Sequence, residues 1–373
     1  MMNFSVKEFS NDSEGLGVDP LSSVIWWRTV FIPVIICIIC ISGLLGNGIV
    51  VCVLVRYSDM KTVPNVYIMN LASADLLFML GIPFLAYQYT GKTWIFGKAM
   101  CKLVMGIDGI NMFAGIFTLT AMCIDRYLAI VNAIESMTYR TVNSARITCI
   151  FIWILSVLAT LPLWLYADAR PDPTPDSDKI KCDIYYSHQL HITFIIYAFV
   201  INFGLPLLII SLCYFRILLY LRKGSRSSHR TNRRSSLGRA GLIVMLAVAL
   251  FTVCWLPFWV VQFTMAFNPP SSWRTLEFII AYYCSMCLSY ANSCLNPIIY
   301  TCAGENFRQK LAKMCSCRKR EPEYTLSMGS YYRRSSACYE DVCEMPTMTT
   351  TMSSNQMVLI GCHNDVDEMD NSM

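Results

Sequence analysis

Seven long apolar stretches divide the chain, at residues 31–55, 65–89, 101–131, 146–166, 190–220, 240–267 and 276–302. Roughly 20 helical residues cross the hydrocarbon core of a bilayer, and every stretch reaches that length. Lipid offers a free backbone no hydrogen-bond partner, so such spans must be helices. The pattern predicts an all-α membrane protein, a seven-transmembrane helix bundle over 31–302. An outer tail covers 1–30, a short juxtamembrane segment 303–317, and a polar, disordered regulatory tail 318–373.

Lysine and arginine set the orientation. Arg222, Lys223, Arg226, Arg230, Arg233, Arg234 and Arg239 lie between spans five and six. Arg308, Lys310, Lys313, Arg318, Lys319 and Arg320 follow span seven. Cytoplasmic loops collect such charge, so both segments are expected inside. Seven spans then put the N-terminus outside, with the first span as an uncleaved signal-anchor. Asn3-Phe4-Ser5 and Asn11-Asp12-Ser13 fit the glycan acceptor pattern on that outer tail. The loop after span four is acidic, with Asp168, Asp172, Asp176, Asp178 and Asp183. It would steer a basic ligand or serve only as a solvated surface.

Composition narrows the class. Hydrophobic residues make up 55% of the chain and charged residues 15%, against about 25% charged in soluble proteins. That excludes a disordered chain and argues against a soluble enzyme. The 18 cysteines show no paired metal-ligand spacing; most sit in apolar runs as small hydrophobes. The net charge of +5 comes with no basic, aromatic-interleaved stretch, so no nucleic-acid partner is expected.

Ionisable groups at membrane depth are functional candidates. Asp75 sits ~15 Å into span two at the helical rise, with Asn47, Asn111, Asn292 and Asn296 at similar depth on other spans. A carboxylate ringed by amides suits a hard cation such as sodium; the alternative is a protonated carboxyl acting as a hydrogen-bond donor. Asp108 lies roughly 10 Å below the outer end of span three, with no Lys or Arg nearby on that span. A buried carboxylate needs a partner. A cationic ligand would supply one, or Tyr290 and nearby amides would suffice. Asp125-Arg126-Tyr127 at the inner end of span three is a two-state latch or an ordinary interfacial pair. Pro83, Pro162, Pro206, Pro257 and Pro297 interrupt their spans and leave room for kinks and a cavity.

The ordered set of motifs resembles the class A (rhodopsin-like) G-protein-coupled receptors. It runs through Gly46-Asn47, Leu71-Ala72-Ser73-Ala74-Asp75, Trp94-Ile95-Phe96-Gly97, Asp125-Arg126-Tyr127, Trp153, Pro206 with Tyr214, Cys254-Trp255-Leu256-Pro257 and Asn296-Pro297-Ile298-Ile299-Tyr300. The segments 104–113, 257–262 and 289–297 are similar to the somatostatin-receptor group. The long threonine-rich tail leans toward its allatostatin C branch. The resemblance implies a disulfide from Cys101 to Cys182. It implies a peptide Lys or Arg on Asp108, flanked by Gln88, Gln262 and Tyr290. Trp255 and Phe251 would sense the ligand together with Pro206 and Ile116. Arg126, Tyr214 and Tyr300 would rearrange to admit a heterotrimeric G protein, of the inhibitory class. Residues 305–314 would form a short amphipathic eighth helix, with Cys315 and Cys317 placed for palmitoylation. The resemblance also implies a plasma-membrane location.

Three positions depart from the family pattern. Ala133 replaces the usual proline of the second inner loop, Gly115 replaces a serine near the sodium site, and no acid lies near Leu237 to restrain Arg126. The competing readings are a receptor for an opioid- or galanin-type peptide or for a biogenic amine. Ala198, Phe199 and Asn202 stand where catecholamine sites carry serines, and Cys287-Leu288-Ser289-Tyr290 replaces the Trp–Gly–Tyr pattern of amine receptors. A retinal protein would need a lysine that 276–302 lacks, and an intramembrane aspartyl protease would need GxGD. Arg233-Arg234-Ser235-Ser236, Arg333-Arg334-Ser335-Ser336 and the cluster Thr347, Thr349, Thr350, Thr351, Ser353 and Ser354 suit receptor kinases and an arrestin partner.

Overall fold

The computed structural model describes residues 26–90, 92–172, 178–223, 231–268 and 275–317. Asn3, Asn11, Asp176, Arg226, Arg230 and the serine and threonine cluster of the tail lie outside the described residues. Within them, seven helices are long and apolar enough to cross a membrane. They are α1 (Ile32–Arg56), α2 (Val63–Tyr89), α3 (Gly97–Ile130), α4 (Val142–Ala159), α5, α6 (Thr231–Phe267) and α7 (Leu276–Ala303). α5 has two segments, His188–Phe199 and Leu205–Lys223, joined by a π turn at Val200–Gly204. A final helix, α8, runs Glu305–Cys317. The chain is a multi-pass membrane protein built as a seven-helix bundle with a short eighth helix.

The prolines fall where their chemistry allows. Pro162 opens a separate turn of helix, Leu161–Tyr166, after α4 ends at Thr160. Pro206 opens the second half of α5, directly after the π turn. At Pro162 a first-turn proline forfeits no intrahelical donor, whereas at Pro206 the π turn accommodates the missing N–H within a continuous helix. Pro83, Pro257 and Pro297 do sit inside their helices.

Helix α3 occupies the centre, against α2, α4, α5 and α6, and α7 closes the ring between α6 and α1. It begins four residues earlier than its apolar stretch, because Gly97 takes a positive φ of 76° and turns the chain into the helix. Close approach of α3 to the helical turn Leu161–Tyr166 depends on Gly106: a Cβ there would run into the Trp164 ring. On α4, Ala145, Cys149, Ile152, Ser156 and Ala159 are buried, while Ile147, Ile150, Phe151, Ile154 and Leu158 are exposed. That is the inverse of a soluble helix, with the bulky apolar side turned outward toward lipid.

The loop after α4 is a β-hairpin that hydropathy does not reveal, β1 (Ala167–Pro171) against β2 (Ile180–Ile184). Ala167, Ala169 and Cys182 form its buried face. The opposite face carries Asp168, Arg170, Lys181 and Asp183. Arg170 lies 2.9 Å and Lys98 3.7 Å from Asp168, and Lys181 lies 2.5 Å from Asp172. The Arg170 hydrogen bond, with Lys98 behind it, holds the Asp168 carboxyl below the usual carboxylate range. Two of the loop's acids are thus offset locally, which reduces the steering field that the bare count of acids suggests. The first outer loop docks on the hairpin: the Trp94 N–H donates to the Ile180 carbonyl (2.7 Å), and the Ile180 N–H donates to Thr93 Oγ1 (2.9 Å).

At the opposite end, α8 lays Phe307, Leu311 and Met314 against the bundle core, with Arg308 and Lys313 outward. Lys310 Nζ reaches Asp59 Oδ2 at 2.5 Å and lies 5.0 Å over the Tyr57 ring. This joins α8 to the loop between α1 and α2.

Candidate functional site

At the outer end of the bundle α2, α3, α6, α7 and the hairpin meet in one packed cluster. Cys101 and Cys182 form a disulfide that fixes β2 over the outer end of α3. Asp108 lies seven residues further along α3, half-buried. Among the described residues, no hydrogen bond or ion pair engages its carboxylate. Gln88 is buried, and its Nε2 donates to the Cys182 carbonyl. Its amide is therefore tied to the hairpin. Tyr290 is buried in an edge-to-face contact with Phe78, ring centroids 5.1 Å apart. Gln262 is half-buried on α6, between residues of the outer core such as Val261 and Met265. These groups face one end of the bundle, but the contacts do not join them into one cluster.

Beneath them is an aromatic stack. Trp255 stacks on Phe251 at 5.8 Å, and Phe251 stacks on Phe203 at 6.3 Å. Ile116 is fully buried and Pro206 is buried, in the same layer of the bundle. Offset stacking of this kind adds ~1 kcal/mol per pair beyond burial.

At mid-membrane, Asn296 Nδ2 donates to Asp75 Oδ2 at 3.1 Å. Ser293 lies beside the same carboxyl group. Asn111 Nδ2 reaches Ser293 Oγ at 3.2 Å, and Asn47 Nδ2 donates to the Ser293 carbonyl at 2.9 Å. The Oδ1 atoms of Asn47, Asn111, Asn292 and Asn296 are buried with no partner among the described residues. Ser293 was not among the residues expected from sequence. Its i, i+3 spacing with Asn296 puts both on one face of α7, the signal that could have identified it.

At the inner end, Arg126 Nη2 lies 2.6 Å from Asp125 Oδ2. A second guanidinium joins the same carboxylate. Arg140 Nε reaches Oδ1 at 2.6 Å and its Nη2 reaches Oδ2 at 3.1 Å. Asp125 and Arg126 are both buried. Arg140 comes from the segment after the helical turn Ala133–Ser136, and no periodicity in the sequence points to it. Tyr214 is half-buried beside Cys123. Tyr300 is buried with its hydroxyl unpartnered. Cys315 is exposed on α8, and Cys317 ends that helix.

Residues 46–300 match the family model described as 7 transmembrane receptor (rhodopsin family). Somatostatin receptor type 2 of Mus musculus is 40% identical over 279 residues, 73% of each chain. Somatostatin receptor type 4 of Rattus norvegicus is 37% identical over 290 residues, covering 78% of this chain and 73% of that one. Somatostatin receptor type 5 of Bos taurus is 39% identical over 309 residues, covering 82% and 80%. With this coverage and seven helices in the matching order, the chain belongs to the rhodopsin-like family of seven-transmembrane, G-protein-coupled receptors, within its somatostatin-receptor group.

Proposed function

We propose that this receptor binds a cationic peptide of the allatostatin C or somatostatin type in its outer cavity and activates an inhibitory heterotrimeric G protein. The observation that carries this is the half-buried Asp108 carboxylate, which no Lys, Arg or His pairs among the described residues. A desolvated anion is costly alone and favourable with a cation. A ligand shifts the helix arrangement only by its differential affinity for two forms; a hundredfold preference is worth about 2.7 kcal/mol. The outer tail is placed outside the plasma membrane and the inner loops in the cytoplasm. Exposed Ile134 and Met137 on the second inner loop offer the G protein an apolar contact, even with Ala133 in place of proline. Receptor kinases and an arrestin act on the hydroxyl-rich tail, and palmitate on Cys315 and Cys317 anchors α8.

The test is a peptide panel on cells expressing the full chain, with cyclic AMP and calcium as readouts. We expect a basic allatostatin C- or somatostatin-type peptide to act at nanomolar concentration. An opioid- or galanin-type peptide in its place would keep the peptide reading and move the ligand class. Nanomolar action of a biogenic amine, with no peptide active, would replace the reading.

Sodium is the group proposed for the mid-membrane site. The donor set fits it: one carboxylate, the Ser293 hydroxyl and four partnerless amide oxygens. Ser293 supplies the hydroxyl that Gly115 lacks. When bound, the ion would hold α2, α3 and α7 together through these oxygens and favour this arrangement. We expect millimolar sodium, against potassium at equal ionic strength, to raise the melting temperature of the reconstituted receptor. Asp75→Asn should abolish the difference. Equal melting in both salts would remove sodium from the site.

A further inference from the structure

We propose that Asn202 is a positioning residue of the activating rearrangement. In this form it ties the π turn of α5 to α3, and its spare oxygen takes the Trp259 indole N–H when α5 and α6 close on each other. Asn202 is wholly buried in that π turn. Its Nδ2 donates to the Met112 carbonyl on α3 at 2.7 Å. Its Oδ1 is buried with no partner among the described residues, and so is Trp259 Nε1. One orphan is an acceptor and the other a donor.

The two lie at one junction. Phe199 and Phe203, on either side of Asn202 in the chain, both touch the Trp259 ring, with centroids 5.5 and 6.5 Å away. Leaving both groups unpaired in an apolar layer is unfavourable. A shift that brings them together therefore gains a hydrogen bond that the present arrangement lacks. The Met112 tie places this device next to the rearranging layer. Met112 is one helical turn before Ile116, and Asn202 is four residues before Pro206, whose missing N–H leaves the turn free to change pitch. The inference depends on membership of the receptor family and not on the identity of the ligand, so its failure leaves the peptide reading intact.

The experiment compares the full chain with Asn202→Leu, Trp259→Phe and the double variant. Thermal unfolding of ligand-free receptor in nanodiscs reads the resting form. Ligand-free signalling through a promiscuous Gα subunit, at matched surface density and at expression high enough to exceed mock cells, reads the active form. We expect Trp259→Phe to lower the melting temperature by the packing it removes, to the same extent with and without Asn202→Leu. We expect Trp259→Phe to lower signalling about fivefold, the worth of one net hydrogen bond, and to lower it no further in the Asn202→Leu background. Coupling between the two sites in the melting temperature would mean that a direct bond or a bridging water already joins them at rest. That result overturns the proposal, as would effects on signalling that multiply or a Trp259→Phe variant that signals normally.

Discussion

Asp108→Asn should lower the potency of a basic peptide at least about a hundredfold while the receptor still reaches the cell surface in normal amount. Truncating one partner of a desolvated charge pair costs about 2–5 kcal/mol, and each tenfold step is ~1.4 kcal/mol. The expected sign on the free receptor is the opposite. Asp108 has no described base beside it, so replacing its carboxylate by an amide removes an uncompensated desolvation cost. The variant should therefore melt no lower than the parent. Concentration–response curves and surface labelling of the same cells check both halves. Retained potency would take Asp108 out of the site, and lost surface expression would make it a folding residue.

The bundle was legible because membrane insertion depends on long sums. Over 18 or more residues, composition alone separates a span from a loop, and a few misplaced polar residues do not change the sum. Features that depend on single contacts were not legible. The hairpin has only five residues per strand, two of them charged in each, so its alternation is lost beside the apolar runs. The early start of α3 depends on one glycine with a positive φ. The π turn follows from Pro206, yet proline in a span predicts some accommodation of the missing donor and not which one.

The site shows the same division. Asp75, Asp108 and Asp125 are conspicuous because a carboxylate in an apolar run is costly wherever it points. Ser285, Ser289 and Ser293 lie four residues apart on α7 and look alike in the sequence. Ser285 and Ser289 hydrogen-bond carbonyls of their own helix, at Tyr282 and Met286, whereas the Ser293 hydroxyl accepts from Asn111 on α3. Gln88 makes a contact of the same illegible kind. Its depth suits a ligand contact, yet its amide donates to the Cys182 carbonyl, a partner 94 residues away that helical spacing cannot reveal.

Asp125→Asn should produce the largest change at the inner end, because the Asp125 carboxylate is shared by two guanidinium groups. The amide leaves Arg126 charged, buried and without its counterion. Breaking a buried pair from one side costs roughly 3–5 kcal/mol, and the loss falls on the form in which the pair exists. Ligand-free signalling should therefore rise by at least about tenfold, and the melting temperature of the resting receptor should fall. Arg140→Ala removes a partner that is itself partly exposed, 26% for its side chain, and leaves the Asp125–Arg126 contact in place, so its effect should be smaller. The two changes should not add: with Asp125 neutralised, Arg140 has already lost its partner, and the double variant should melt with Asp125→Asn alone. Ligand-free nucleotide exchange and thermal unfolding of the four forms measure both statements. Full additivity would show that Arg140 acts elsewhere. An Asp125→Asn receptor as quiet and as stable as the parent would show that Arg126 is restrained by something other than this carboxylate.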